Sequence, residues 1–176
     1  MKALALLLAT TLFGGQVDLF GQPVVPQIRG RPLLVFFSNS KMRESTIRTG
    51  TELSLRLHEV PYVTIVRVDL RGSAGVLRFL ARREMKDAYR ESVERTRQLY
   101  RRAGLPPPAS SGHHLIFVPD WEGEGASAAG LAKGFTESIG IVYAPDGREV
   151  VRAPFPVGVP RLERALRAFA KRERKR

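Results

Sequence analysis

The 176-residue sequence contains no cysteine. Disulfides, thiolate nucleophiles, thiolate metal ligands and any dithiol redox cycle carried by this chain alone are therefore excluded. The absence says nothing of compartment, because a chain without thiols is at home in either redox environment. Histidine is scarce as well, with three in the chain. His58 stands alone near a predicted helix end, and His113 and His114 are adjacent, so on a strand they point to opposite faces and cannot simply share a metal. Neither a metal site nor a cofactor is expected. No apolar run reaches the roughly 20 residues a helix needs to cross a bilayer. Acidic residues are the last shortage: 17 stand against 29 Lys and Arg, a formal net charge of +12.

That basic excess is localised. Residues 71–104 hold ten Lys and Arg against four acids, and residues 161–176 hold eight against two. The rest of the chain is close to neutral. Two basic helical segments attract polyanions, whether nucleic acid, anionic lipid or an acidic partner, or else form solvated Arg-rich faces. The length suits one domain, and a hydrophobic content of 43% is enough for a buried core. At the N-terminus Lys2 precedes an apolar run from Ala3 to Phe13. Residues 1–15 read as a signal peptide, as a short uncleaved membrane anchor, or as the first strand of a cytoplasmic domain. The first two readings place the protein in the periplasm or on the outer face of an inner membrane.

Residues 16–32 read as a short hairpin, with Val17-Asp18-Leu19 and Pro23-Val24-Val25 flanking a turn at Phe20-Gly21-Gln22. Leu33-Leu34-Val35-Phe36-Phe37 is a strand buried on both faces, left through the turn Ser38-Asn39-Ser40-Lys41. A helix from about Ser45 to His58 buries Ile47, Leu53 and Leu57, and Thr49-x-x-Glu52 matches a capping box that allows a later start. Residues 63–70 form a second core strand. Residues 73–104 are helical, with Val76, Leu77, Phe79 and Leu80 packing a first segment and Tyr89, Val93, Thr96 and Tyr100 a second. The Pro-rich stretch after Gly104 is a stiff loop, and residues 114–120 are a third strand. A short helix follows near Ala126 to Ala132. Residues 138–155 make a hairpin around Pro145-Asp146-Gly147, and a last helix starts at Pro160, burying Leu162, Leu166 and Phe169. This order predicts an α/β protein, a three-layer α/β/α sandwich with a central mixed sheet. Residues 16–170 are its domain, 73–112 an Arg-rich helical insertion with its Pro-rich loop, and 171–176 a basic tail.

The words and their order resemble the thioredoxin superfamily, in particular its redoxin and periplasmic thioredoxin-like branch. "VDLFGQPVVPQIRGRPLLVFF" is similar to the family's opening hairpin and first core strand. "DWEGEGASAAGLAKGF" is similar to the segment before its active-site proline, and "SIGIVYAPDGREVVR" to its final hairpin. The family carries a W-C-x-x-C motif just after the first core strand. Counting from Phe37, the resemblance sets Lys41-Met42-Arg43-Glu44-Ser45 on that motif, with Met42 at the nucleophilic position and Ser45 at the resolving one. A thioether has no proton to lose and an alcohol is far too weak an acid, so neither exchanges disulfides. The family's cis-proline falls at Ser138, so that feature is missing too.

Other chemistries find little support. Ser38, Ser40 and Ser45 have no His or acid spaced to activate them. Asp120, Glu122 and Glu124 beside Trp121 are either a carboxylate site or a loop with a packed Trp. Lys41 and Arg43, at a predicted helix N-terminus, either meet an anion or lie in a solvated loop. The leading expectation is a redox-inactive, exported protein that binds a protein or an extended peptide, in a groove lined by Met42, Ser45, Ser138 and Trp121 with Lys41 and Arg43 beside it. The alternatives are an oxidoreductase by family assignment only, borrowing a partner's thiol, and a binder of anionic surfaces or nucleic acid through the basic helices.

Overall fold

The structure, a computed structural model, describes residues 13, 15–28, 30–106, 108 and 114–173. Residues 1–12, His113 and residues 174–176 lie outside the described residues, so the expectations for the signal segment, the His pair and most of the basic tail are not addressed by it. The side chain of His114 lies outside them too.

Five strands form one mixed sheet: β1 (Leu33–Ser38), β2 (Val63–Asp69), β3 (His114–Asp120), β4 (Ser138–Tyr143) and β5 (Glu149–Phe155), in spatial order β3-β2-β1-β4-β5. β1, β2 and β3 run parallel, while β4 is antiparallel to both β1 and β5. β1 is the central strand and all six of its residues are buried. Leu34 and Phe36 enter the core on one face, Leu33, Val35 and Phe37 the core on the other. A strand covered on both faces reads as an unbroken apolar run, as 33–37 does.

The thicker covering layer is made of α2 (Arg43–Arg56), α3 (Val76–Arg102) and α5 (Val159–Glu173), which contribute Ile47, Leu53, Met85, Ala88, Leu162 and Leu166 to one core. The opposite layer is thin. It consists of the short helices α1 (Val24–Ile28) and α4 (Glu124–Ala128) together with Phe13 and Phe135. The expected three-layer α/β/α sandwich is present.

Three local expectations change. The N-terminal hairpin is reduced to one bridge, Val17 to Pro23, and residues 24–28 are helical. Pro26 has no N–H for a ladder, whereas in a first helical turn that N–H has no partner to lose. Asp18 organises the turn, its Oδ1 accepting from the backbone N–H of Phe20 and of Gln22 at 2.8 Å each. The short helix starts two residues earlier and ends sooner than expected, at Glu124–Ala128.

The third change is in α3. Val76, Leu77, Phe79 and Leu80 do not pack; they are 77%, 56%, 69% and 46% exposed. The helix has 27 residues and is about 40 Å long. β2 and β3 have seven residues each, about 23 Å. The helix outruns the sheet it covers, and its first turn stands beyond the core. Further along, Met85, Ala88, Ser92 and Tyr100 carry the buried stripe.

Candidate functional site

The C-terminal edge of the parallel strands is where an α/β sheet offers its loops to a ligand. β1 leaves it through Asn39, whose side chain caps a 3-10 turn over Ser40–Met42. Asn39 Oδ1 accepts from the N–H of Lys41 at 3.0 Å and of Met42 at 3.2 Å. Its Nδ2 donates to the Phe135 carbonyl at 2.7 Å, tying this loop to the segment before β4. α2 begins directly after it, at Arg43 and not at the capping-box threonine.

Met42 is 7% exposed and belongs to the core of the thin layer, together with Val24, Ala126 and Phe135. Ser45 donates its hydroxyl to the Met42 carbonyl at 2.9 Å. Ser138 opens β4, is buried, and donates to the Phe37 carbonyl. The cis peptide bond among the described residues is not at Ser138 but at Phe155–Pro156. Met42, Ser45 and Ser138 thus surround the end of β1, yet Met42 and Ser138 present little surface. Ser38 is also tied down, its hydroxyl 3.1 Å from that of Thr46.

The charged positions behave differently from one another. Lys41 is exposed. Arg43 reaches across to α3 and pairs with Glu91 at 2.8 Å. Trp121 follows β3, two strands away from Met42 in the sheet order. Its ring lies under the Arg78 guanidinium at 5.3 Å, and Arg78 also pairs with Glu122 at 2.6 Å. The groove expected from Met42 to Trp121 is therefore not one continuous lining of these side chains. A cavity of about 70 Å³ lies near the loop after β1, lined by Asn39, Ser40, Arg43, Leu70, Ala81 and Glu84 among others, with neither Met42 nor Trp121 in its wall. A larger cavity, about 300 Å³, lies between α2 and α3, with Phe36, Ile47, Thr51, Tyr89, Thr96 and Phe117 in its wall.

Of the acidic cluster, Asp120 is engaged within the fold. Asp120 is buried and accepts from the N–H of Gly125 at 3.3 Å and of Ala126 at 2.8 Å, holding the start of α4. It faces Arg67 of β2 at 3.7 Å. Arg67 is buried, and its Nε has no hydrogen-bond partner. Burial lowers its pKa, against the pull of Asp120, Tyr143 and Glu124. Arg71 clasps both oxygens of Asp69, at 2.9 and 2.7 Å, and reaches the Leu131 carbonyl at 3.2 Å. Two glycines make room for these arginines. A Cβ on Gly125 would lie 2.1 Å from Arg67 Cζ, and one on Gly123 would lie 2.0 Å from Arg71 Cδ.

Asn39 and the Arg67–Asp120 and Asp69–Arg71 pairs are what the sequence reading missed. The signals were present: Asn before a helix is a preferred cap, and an arginine inside "VTIVRVDL" must find a carboxylate if both faces of the strand are covered. Among the described residues, no three His, Asp or Glu side chains gather as a metal site would require. His58 sits with Nδ1 3.1 Å from the Leu55 carbonyl.

No protein-family model matches the sequence, and no curated protein matches it. Solved structures do. Peroxiredoxin Q of Xanthomonas campestris superposes with a TM-score of 0.55 at 14% identity, over 92% of this chain and 95% of that one. The exposed lipoprotein thioredoxin of Streptococcus pneumoniae gives 0.52 at 13% identity, over 87% and 96%. MTB dsbF, solved in mixed oxidised and reduced forms, gives 0.50 at 13%, over 90% and 96%. Identities this low speak for the fold. The chain has a thioredoxin-like fold, and it carries that fold without a cysteine.

Proposed function

We propose that this protein is a redox-inactive member of its fold class that works by binding a polypeptide, not by turnover. One observation carries the reading. At the end of β1 the groups that the resemblance sets at the thiol pair and at the cis-proline are used as scaffold: Met42 is core and Ser45 bonds the Met42 carbonyl, while Ser138, at the proline position, bonds the Phe37 carbonyl. None is a nucleophile with a base beside it. What the edge still offers a partner is exposed: the Lys41 side chain and the Thr136-Glu137 stretch entering β4. An extended peptide laid beside that stretch would pair backbone to backbone. The outer strands suit this less well, since β5 carries Glu149, Arg152 and Pro154 and β3 has Leu19 bonded to Phe117 and a proline at 119.

Export to the periplasm or to the outer face of an inner membrane belongs to the same reading. It is supported by the apolar run after Lys2 and by the likeness to an exposed lipoprotein thioredoxin. N-terminal sequencing of the protein from its native host checks it.

The functional test has two arms. The purified chain should give no turnover in insulin reduction or in peroxide consumption, and activity in either assay would return it to the oxidoreductases. In the second arm, an unfolded, cysteine-free, fluorescently labelled polypeptide should bind, and Glu137→Pro, which removes an N–H from the exposed stretch, should weaken it about tenfold. Binding indifferent to Glu137→Pro and to Lys41→Glu refutes peptide capture at this edge.

A further inference from the structure

The exposed first turn of α3 has a composition that neither solvent nor the peptide reading explains. Val76, Leu77, Phe79 and Leu80 are four large apolar side chains within five residues, all exposed. On a helix they cover an arc of about 160°. Val76, Phe79 and Leu80 point away from the stripe of Met85, Ala88 and Ser92 that meets the core, while Leu77 lies over its edge, in the turn that overhangs the sheet. The next turn is basic. Arg82 and Arg83 are exposed and have no ion pair among the described residues, and Lys86 follows. Arg78 is turned aside onto Trp121 and Glu122 at the rim.

We infer that this turn is an interfacial anchor, which seats the N-terminus of α3 on an anionic lipid surface. Val76, Leu77, Phe79 and Leu80 enter the boundary between headgroups and acyl chains, while Arg82, Arg83 and Lys86 meet lipid phosphates. Charge complementarity selects this occupant. A nucleic acid would satisfy the arginines and leave the apolar tip wet. A second copy of the chain brings another formal charge of +12 and is repelled. An anionic phosphate layer above an apolar phase serves both halves of the turn. The proposal does not depend on peptide binding at the β1 edge.

The chain has a single tryptophan, Trp121, and it lies against Arg78 beside this turn. Its emission therefore reports on this face and not on the apolar N-terminal run or the C-terminal helix. The full chain is added to vesicles of phosphatidylglycerol with phosphatidylcholine, and to vesicles of phosphatidylcholine alone. The expected result is a blue shift of Trp121 and its quenching by headgroup-labelled lipid, on the anionic vesicles and at low salt. Leu77→Ser with Phe79→Ser should weaken binding at least about tenfold and abolish the shift. The thermal melt should not move, because both residues are exposed. Arg82→Glu with Arg83→Glu should weaken binding as well. Sedimentation with vesicles without any change at Trp121 overturns the proposal, as does a shift that survives the serine pair. A dimer dissolved by the serine pair would assign the patch to a second copy and overturn it equally.

Discussion

At the scale of single residues, the edge of the sheet is held by charges placed where an apolar strand would not ordinarily carry them. Asp69 ends β2 with its side chain 5% exposed, clasped by Arg71. Burial alone would push its carboxyl upward. The hydrogen bonds from the Arg71 side chain and backbone N–H, the Arg71 charge and Lys133 outweigh burial and hold its pKa below the ordinary aspartate value. A depressed carboxyl contributes stability that is fully present above its unfolded pKa, about 4, and is lost as pH falls through the folded value. Asp69→Asn should therefore lower stability by about 1.5 kcal/mol at pH 7. The gap between the two proteins should close progressively below about pH 4. Urea unfolding at pH 7, 5, 4 and 3 measures it, and a gap that widens on acidification contradicts the assignment.

At the scale of elements, the long helix α3 docks on α2 through contacts of very different worth. The Tyr100 hydroxyl donates to the Ser54 carbonyl at 2.8 Å from a ring that is 1% exposed. Near the other end of the contact, Glu91 pairs with Arg43 at 2.8 Å, but both side chains are more than a third exposed. A part-buried hydrogen bond from a buried ring, once broken, leaves its carbonyl poorly satisfied, whereas water takes over an exposed ion pair. Tyr100→Phe should cost about 1 kcal/mol and Glu91→Gln less than about 0.5 kcal/mol, ranked by their urea midpoints; the reverse order would place the docking energy in the surface pairs. The same helix shows how much the sequence discloses. Periodicity marked Tyr100 as core-facing and placed the helix to within a few residues. It also placed all five strands, because β1, β2 and β3 are runs with cover on both faces and β4–β5 is a hairpin with a turn signal. Periodicity could not say that the first turn of α3 overhangs the sheet, since that depends on the length of the strands beneath it. Nor could so short an apolar run as "PVVPQI" distinguish a strand from one helical turn by alternation, although Pro26, without an N–H for a ladder, favoured the helix. The candidate site was legible only in part. The family resemblance named Met42, Ser45 and Ser138 together, whereas the burial of Met42 and Ser138, and the link from Asn39 to Phe135, come from the packing of two segments nearly 100 residues apart.

At the scale of the whole molecule, α3 and α5, which carry much of the charge excess, lie in the same layer, on either side of α2. The acids of that layer are largely engaged: Glu44 with Arg95, Glu91 with Arg43, Glu94 with Arg101, and Glu163 with Arg167 and Arg56. These exposed pairs each contribute little. The unpaired surplus acts over a longer range, because charges spread over one layer repel across separations comparable to the Debye length in dilute salt, about 10 Å at 0.1 M. The two effects respond to salt with opposite signs. Screening weakens the pairs and so destabilises the fold, but it also weakens the repulsion within the layer and so stabilises it. With a formal net charge of +12, repulsion should prevail. Raising sodium chloride from about 20 mM to about 300 mM should then move the urea midpoint upward. Replacing Arg82 and Arg83 by Gln should raise the midpoint at low salt and flatten its salt dependence. A midpoint that falls with salt would mean that the pairs between α2, α3 and α5 outweigh the surplus, and that the basic layer is held together by its charges instead of strained by them.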